Sequence, residues 1–133
     1  MSSVSFQKKR IEECLRENIQ INEREAQIEA EYILKFALKK PSSFFISNQK
    51  INIDKTQEEF ISSILKKRIK HEPLAYIFNE WDFYGKTFYL DKNSLIPRQD
   101  TELLIDIVLK EFDKESKLNI LDLGTGSGVI GIT

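Results

Sequence analysis

The feature that most restricts the fold is a glycine-rich stretch near the end of the chain, which reads NILDLGTGSGVIG. The apolar run Leu118 to Leu123 predicts a buried strand, and the residues after the glycines predict the start of a helix. Gly124, Gly126 and Gly128 allow the backbone to turn sharply and to approach a ligand without Cβ clashes. The stretch therefore predicts a strand–loop–helix unit of an α/β sheet, with a ligand at the end of the strand.

Two ligand-binding patterns overlap in this stretch. Asp122 to Gly128 fits the acid-x-G-x-G-x-G pattern that is typical of class I methyltransferases, and Gly126 to Gly131 fits the G-x-G-x-x-G pattern of dinucleotide-binding proteins. The dinucleotide pattern should follow the strand immediately, and here it begins two residues late. A glycine turn without a ligand also remains open at this point.

The first part of the chain predicts helices that need one another. Asn22 and Glu25 have the spacing of a capping box, and Pro41 ends the helix that follows. Further helices are expected over about 3–18, at Ser42–Ser47, and from Asp54 or Thr56 to about His71. Their apolar stripes predict a small bundle up to about residue 72. The apolar residues of the first three helices are Phe6, Ile11, Leu15, Ala26, Ala30, Ile33, Leu34, Ala37, Leu38, Phe44, Phe45 and Ile46. In the fourth helix, the residues expected to face inward are Phe60, Ile61, Ile64, Leu65 and Ile69.

The pattern changes after Pro73. Apolar residues alternate on both sides of Gly85, which predicts a β-hairpin: Trp81, Phe83, Phe88 and Leu90. A proline-stiffened loop follows, and Asp100 or Thr101 is expected to cap a helix. The apolar residues of that helix are Leu103, Leu104, Ile107, Val108 and Phe112. A parallel strand pairs only with a strand beyond a crossover helix, so this second domain is expected to be incomplete within 133 residues.

Composition excludes several classes of protein. The chain has 20 basic and 21 acidic residues, so it has no bulk attraction to nucleic acid or to an anionic membrane. The run Lys66–Arg68 is interpreted as a solvated helix face. The single cysteine, Cys14, excludes an internal disulfide, and neither a secretory signal nor a membrane span is evident, so a cytoplasmic location is expected. No ligand cluster surrounds His71, and no metal site is predicted.

The order and spacing of several motifs resemble the release-factor glutamine methyltransferase family (HemK/PrmC, protein-(glutamine-N5) methyltransferases). The matching segments are Glu72-Pro-Leu-Ala-Tyr-Ile77, Trp81 to Phe88, Ile96-Pro-Arg98, Asp100-Thr-Glu102 and Leu121 to Gly128. The family usually reads I-P-R-P-E-T-E where this chain has Gln99 and Asp100, so one backbone restraint is lost while the acidic character is kept.

The resemblance implies a helical substrate-recognition domain at 1–72, a β-hairpin linker at 73–95 and, at 96–133, the beginning of a Rossmann-like class I methyltransferase domain. It implies S-adenosylmethionine as cofactor, class 1 peptide chain release factors as partners and a monomer when complete. The implied cofactor-binding residues are Asp122, Gly124, Thr125, Gly126, Ser127 and Gly128. The implied active-site loop contains Pro97, Arg98, Thr101 and Glu102.

The resemblance also implies that the catalytic Asn-Pro-Pro-Tyr motif lies beyond Thr133, so no catalytic residue is expected here and residues 1–133 alone are expected to be inactive. The expected reaction is methyl transfer to the glutamine of the Gly-Gly-Gln loop of release factors. Three alternatives stay open: a ribosomal-protein glutamine methyltransferase, a nicotinamide-dependent oxidoreductase, and a non-catalytic helical interaction module.

Overall fold

The computed structural model describes residues 2–48, 50–113, 115 and 117–133. The chain divides into two compact units, residues 1–77 and residues 78–133. The helices are α1 (Val4–Ile19), α2 (Glu23–Leu38), α3 (Ser42–Ser47), α4 (Lys55–Arg68), α5 (Leu74–Phe78), α6 (Glu102–Glu111) and α7 (Val129–Ile132), with a 3₁₀ turn at Gln99–Thr101. The strands are β1 (Ser2–Ser3), β2 (Asn52–Ile53), β3 (Glu80–Phe83) and β4 (Lys86–Tyr89).

The first unit is a helical bundle, as the apolar stripes predicted. Helix α2 packs against both α1 and α4. Burying these stripes against one another removes apolar surface from water and stabilises the unit. Its buried apolar residues are Val4, Ile11, Leu15, Ala26, Ala30, Ile33, Leu34, Phe45, Ile53, Ile61, Ile64 and Leu65. The expectation that Phe60 faces inward is wrong, because this side chain is 44% exposed. The apolar Phe6 is also exposed.

The caps of the bundle helices confirm the sequence interpretation. Asn22 accepts a hydrogen bond from the Glu25 amide, and the Glu25 carboxylate accepts one from the Asn22 amide. Asp54 and Gln57 form the same reciprocal arrangement at the start of α4. Each capping box provides partners for amides that a helix start leaves without intrahelical acceptors, so both starts are fixed by local sequence.

The beginning of the chain is tied to α4 by polar contacts that the stripes did not predict. Ser2 pairs with Ile53 across β1 and β2, and its amide donates to Glu58 at 2.8 Å. The Ser2 hydroxyl also donates to Glu58, and the buried Gln7 donates to that hydroxyl at 2.8 Å. The Ser2 hydrogen bonds lower the pKa of the Glu58 carboxyl below its ordinary value. The first strand is therefore held by a hydrogen-bonded network.

The basic run at the end of α4 is only partly the solvated face that was predicted. Lys66 and Lys67 are exposed, but the Arg68 guanidinium donates two hydrogen bonds of 2.8 Å to Glu29 on α2. This bidentate geometry is specific to arginine, and the hydrogen bonds to Glu29 raise the pKa of Arg68. Arg68 therefore joins α4 to α2.

The second unit begins with the predicted hairpin, β3–β4. Tyr84 and Gly85 connect the strands with φ angles of 47° and 71°, which is typical of a type I′ turn. Phe83 lies in a small buried cluster with Ile105 of α6 and Val129 of α7. Phe88 packs its ring edge-on to Phe83, with 6.4 Å between the ring centroids. The hairpin thus supplies the core on which α6 and α7 pack.

One prediction for the second unit is wrong. Residues 118–123 form no strand within the described part of the chain, and Leu121 and Leu123 are 80% and 83% exposed. A strand exists through ladder hydrogen bonds, and no described segment lies beside this run to form them. Helix α6 forms as predicted, and its buried residue is Ile105. The other apolar residues of this segment are exposed: Leu103, Leu104, Ile107, Val108 and Phe112. The domain boundaries at 72 and 95 remain predictions.

No helix in the described residues combines the length and the apolar character needed to cross a membrane.

Candidate functional site

The glycine loop has the conformation that its sequence predicted. Gly124, Gly126 and Gly128 have φ angles of 75°, 55° and 76°, which lie in the left-handed region that L side chains avoid. A Cβ at Gly124 would meet nothing within 4 Å, and one at Gly126 would meet only a backbone oxygen at 3.9 Å. The glycines at these two positions are therefore required by backbone conformation, and the space beside them is open to a ligand.

Asp122 and Thr125 are joined by a side-chain hydrogen bond at the start of this loop. The Thr125 hydroxyl donates to the Asp122 carboxylate at 2.8 Å, and the Thr125 carbonyl accepts from the Gly128 amide at 2.8 Å. Asp122 and Ser127 are half-buried, whereas Thr125 is exposed. The first of these hydrogen bonds orients the Asp122 carboxylate, and the second closes the turn between Thr125 and Gly128.

The loop ends in a single helical turn, α7, which Gly128 precedes. Val129 is buried in the core cluster of the unit, and a Cβ at Gly128 would lie 3.3 Å from the Ile132 side chain. Lys86 of β4 donates to the carbonyl oxygens of Ile132 and Thr133 at 2.9 and 3.2 Å. The end of the glycine loop is thus anchored to the hairpin.

The second predicted site segment, Pro97–Glu102, is also attached to the hairpin. The Trp81 indole donates to the Pro97 carbonyl at 3.1 Å, and the Glu102 carboxylate accepts from the Tyr84 amide at 2.9 Å. Between these points the chain makes a 3₁₀ turn, in which the Thr101 amide donates to the Arg98 carbonyl at 3.0 Å. The Arg98 side chain is exposed.

Capping of α6 differs from the prediction. Thr101 occupies the position before the helix, but its side chain makes no capping hydrogen bond, and Asp100 lies one residue earlier in the 3₁₀ turn. The reason is that Thr101 already has helical backbone angles, so its hydroxyl is not in the extended geometry of an N-cap. The Glu102 carboxylate at the start of α6 accepts from the Tyr84 amide of the hairpin.

Sequence reasoning missed the polar functions of Trp81, Tyr84 and Lys86. It treated Trp81 as an apolar residue in an alternating strand, although a buried indole N–H normally has an acceptor. The Tyr84 hydroxyl donates to Asp106 at 2.7 Å, and this hydrogen bond raises the pKa of Tyr84. All three residues belong to the hairpin, which contacts both predicted site segments.

Within the described residues, no three His, Cys, Asp or Glu side chains are grouped so that they could hold a metal ion. His71 lies after α4 with a φ angle of 63° and is exposed. The expectation of a metal-free site stays a prediction.

Comparison with known proteins gives a family match over the helical unit. The model of the PrmC N-terminal domain matches residues 9–78. The bifunctional methyltransferase of Rickettsia bellii (strain RML369-C) is 36% identical over 132 residues, with 80% of this chain and 24% of that protein covered. The release factor glutamine methyltransferase of Coxiella burnetii (strain RSA 493 / Nine Mile phase I) is 36% identical over 105 residues, which cover 79% of this chain and 38% of that protein.

A third relative has a similar coverage. The release factor glutamine methyltransferase of Buchnera aphidicola subsp. Schizaphis graminum (strain Sg) is 38% identical over 104 residues, with 78% of this chain and 38% of that protein covered. The chain thus spans about a quarter to two fifths of the length of these curated relatives.

Proposed function

The chain belongs to the PrmC N-terminal domain family, and from that premise we propose that the protein takes part in methylating a glutamine of class 1 peptide chain release factors. The methyl group is transferred from S-adenosylmethionine to the side-chain amide nitrogen of the glutamine in the Gly-Gly-Gln loop. The match over residues 9–78 carries this proposal. Two of the relatives described above are named for glutamine methylation of release factors, which supports the choice of substrate.

The glycine loop fits the proposed cofactor. S-adenosylmethionine, when bound, supplies a methyl group on a positively charged sulfur. Gly124 and Gly126 leave open space beside the backbone, and Ser127 and Gly128 complete the loop. The Asp122 carboxylate, oriented by Thr125, provides a negative charge that suits the cationic groups of the cofactor. This half of the proposal concerns residues 96–133, which we assign to the beginning of a Rossmann-like domain.

The proposed reaction depends mainly on positioning. An amide nitrogen is a weak nucleophile because its lone pair is delocalised into the carbonyl group, so alignment with the methyl donor supplies much of the rate. We assign the loop Pro97–Glu102 to the wall of the reaction centre and assign no catalytic residue to the 133 residues. The helical residues 1–72 are assigned to recognition of the acceptor protein, and residues 73–95 to the linker.

The decisive experiment measures the acceptor itself. The Gly-Gly-Gln peptide of the release factor is isolated from cells with and without the gene, and its mass is determined. We expect the peptide from cells lacking the gene to be lighter by one methyl group. An unchanged release-factor peptide together with a lighter ribosomal-protein peptide would replace the substrate with the ribosomal protein. No mass change in either would remove the proposed function.

Two glycine variants test the cofactor assignment in the same cells. Gly126→Val places a branched side chain at a φ of 55°, so methylation should be lost. Gly131→Ala is the control, because Gly131 lies in α7 and a Cβ there meets nothing within 4 Å. Methylation should persist in this variant. Loss in Gly131→Ala alone would favour the dinucleotide pattern, whose third glycine is Gly131.

A further inference from the structure

The β3–β4 hairpin is attached to the loop Pro97–Glu102 at both ends of that loop. We infer that Trp81 and Tyr84 are positioning residues for this loop, and that Glu102 is a tether between loop and hairpin rather than a group that contacts the substrate. This inference rests on the proposed function, because it assigns roles within the reaction centre proposed above. Its geometrical part can be tested without any methylation.

The first tether joins Trp81 to the beginning of the loop. The Trp81 ring is half-buried and packs against the cluster of Phe83, Ile105 and Val129, so its indole N–H has a fixed direction. That N–H donates to the Pro97 carbonyl at 3.1 Å. The proline ring restricts φ of Pro97 as well, so the beginning of the loop is restrained by its own ring and by the hairpin.

The second tether joins the hairpin turn to the end of the loop. Tyr84 has a left-handed backbone with a φ of 47°, and its amide donates to the half-buried Glu102 carboxylate at 2.9 Å. Its hydroxyl donates to Asp106 at 2.7 Å. Glu102 and Asp106 are four residues apart on α6 and therefore share a face of that helix. Tyr84 thus holds the first half of α6 at two points, one helical turn apart.

The tethers leave the middle of the loop exposed. Arg98, Gln99 and Asp100 are exposed between the fixed points Pro97 and Glu102. A short segment with both ends fixed presents its side chains in a narrow range of orientations, and displacements of about 1 Å are enough to reduce catalysis. The hairpin therefore controls where the exposed part of the loop stands, without contributing a group to the chemistry.

The two roles of Glu102 make different demands on its side chain. A tether needs one oxygen atom that accepts from the Tyr84 amide, and glutamine supplies that oxygen without charge. A carboxylate that binds a cationic group or takes a proton needs the charge itself. Glu102→Gln and Glu102→Ala therefore separate the roles, because only alanine removes the acceptor.

The test measures amide hydrogen exchange, residue by residue, by NMR on the 133-residue chain. Glu102→Ala should speed exchange of the Tyr84 amide by about tenfold, the equivalent of roughly 1.4 kcal/mol for a hydrogen bond to a charged group. Glu102→Gln should speed it by about twofold to threefold, since the weaker neutral bond remains. Trp81→Phe keeps an aromatic ring but removes the donor, and should speed exchange of the Thr101 amide by about fivefold.

Tyr89→Phe is the matched control, because Tyr89 lies on the same hairpin and is 74% exposed. It should leave the Tyr84 and Thr101 amides unchanged. The inference is overturned if Glu102→Ala does not affect the Tyr84 amide, or if Glu102→Gln is as damaging as Glu102→Ala. If Glu102→Ala or Trp81→Phe unfolds the second unit, the spectrum of Glu102→Gln still tests the inference. A tether role predicts that the second unit stays folded in Glu102→Gln.

A second readout in cells separates this inference from the proposed function. Release-factor methylation should fall much further with Glu102→Ala than with Glu102→Gln, because only alanine removes the acceptor for the Tyr84 amide. Methylation that is lost equally in both variants overturns the tether role while the proposed function stands. If the exchange rates change as expected but the gene has no effect on any release-factor peptide, the proposed function fails. The hydrogen bonds of Trp81, Tyr84 and Glu102 would then be structural only, and their positioning role in methylation would be overturned.

Discussion

Residues 2–77 and residues 78–133 differ in how completely their apolar side chains are covered. In the first unit, Leu15, Ile33 and Leu34 have no exposed surface. In the second unit, Leu121 and Leu123 are at least 80% exposed. Both groups belong to apolar patterns that predict burial, so the pattern alone does not decide whether a residue is buried.

The difference shows which apolar patterns predict burial without knowledge of the neighbouring segments. An amphipathic helix forms its own backbone hydrogen bonds and needs only another apolar stripe to cover it, and the first unit contains three such helices, α1, α2 and α4. A buried parallel strand needs partners for both its backbone and its two faces. Residues 118–123 have the composition of such a strand but no described neighbour.

Amide hydrogen exchange should give the largest contrast between the two units. Core amides of α1, α2 and α4 open only when the bundle unfolds, so we expect protection factors of about a thousand or more. Amides of 117–123 lie in no helix or strand and should exchange within about tenfold of a free peptide. Uniform protection through Thr133 would contradict this contrast and would show that residues 118–123 are paired.

A pair of leucine variants should give the next largest effect. Leu15→Ala creates a cavity in the bundle core and should lower the free energy of unfolding by about 3 kcal/mol, measured by urea denaturation with circular dichroism at 222 nm. Leu121→Ala removes the same atoms from a side chain that is 80% exposed, and should change it by less than about 0.5 kcal/mol. Equal losses would mean that Leu121 is buried in solution.

The sequence predicted most of the bundle because the relevant interactions are local. The Asn22–Glu25 capping box depends on residues three apart, and the stripe from Ala26 to Leu34 depends on helical spacing. What could not be predicted are contacts between distant residues. Ser2 with Glu58 and Glu29 with Arg68 are separated by 56 and 39 positions, and nothing in the local sequence indicates either pair.

The candidate site was predicted in part for the same reason. The left-handed glycines follow from the spacing of Gly124, Gly126 and Gly128, because glycine is the residue that adopts positive φ readily. The attachment of Pro97 to Trp81 and of Glu102 to Tyr84 depends on how the hairpin packs beside the loop, and the sequence specifies only that both elements exist. The assignment of these residues to cofactor and substrate stays a prediction.

The pH dependence of stability should also differ between the two units, by a smaller effect. One contribution is lost as the pH falls, and the other is lost as the pH rises. The Ser2 hydrogen bonds lower the pKa of Glu58 below 4.5, so the folded first unit binds fewer protons than the unfolded chain. This contribution is present above about pH 4.5 and is lost as the pH falls through the folded pKa. The Asp106 hydrogen bond raises the pKa of Tyr84 above 10.0, so its contribution is present below about pH 10 and is lost as the pH rises through the folded pKa.

The two units can be followed separately in one sample, because most helix lies in the first unit and the only tryptophan, Trp81, lies in the second. The melting difference between wild type and Glu58→Gln, followed by circular dichroism, should shrink as the pH is lowered from about 6 to 3. The difference between wild type and Tyr84→Phe, followed by Trp81 fluorescence, should shrink as the pH is raised from about 8 to 11. Differences that stay constant with pH would contradict both pKa directions. A change in the fluorescence transition caused by Glu58→Gln would show that the units unfold together, because Glu58 and its partner Ser2 both belong to the first unit.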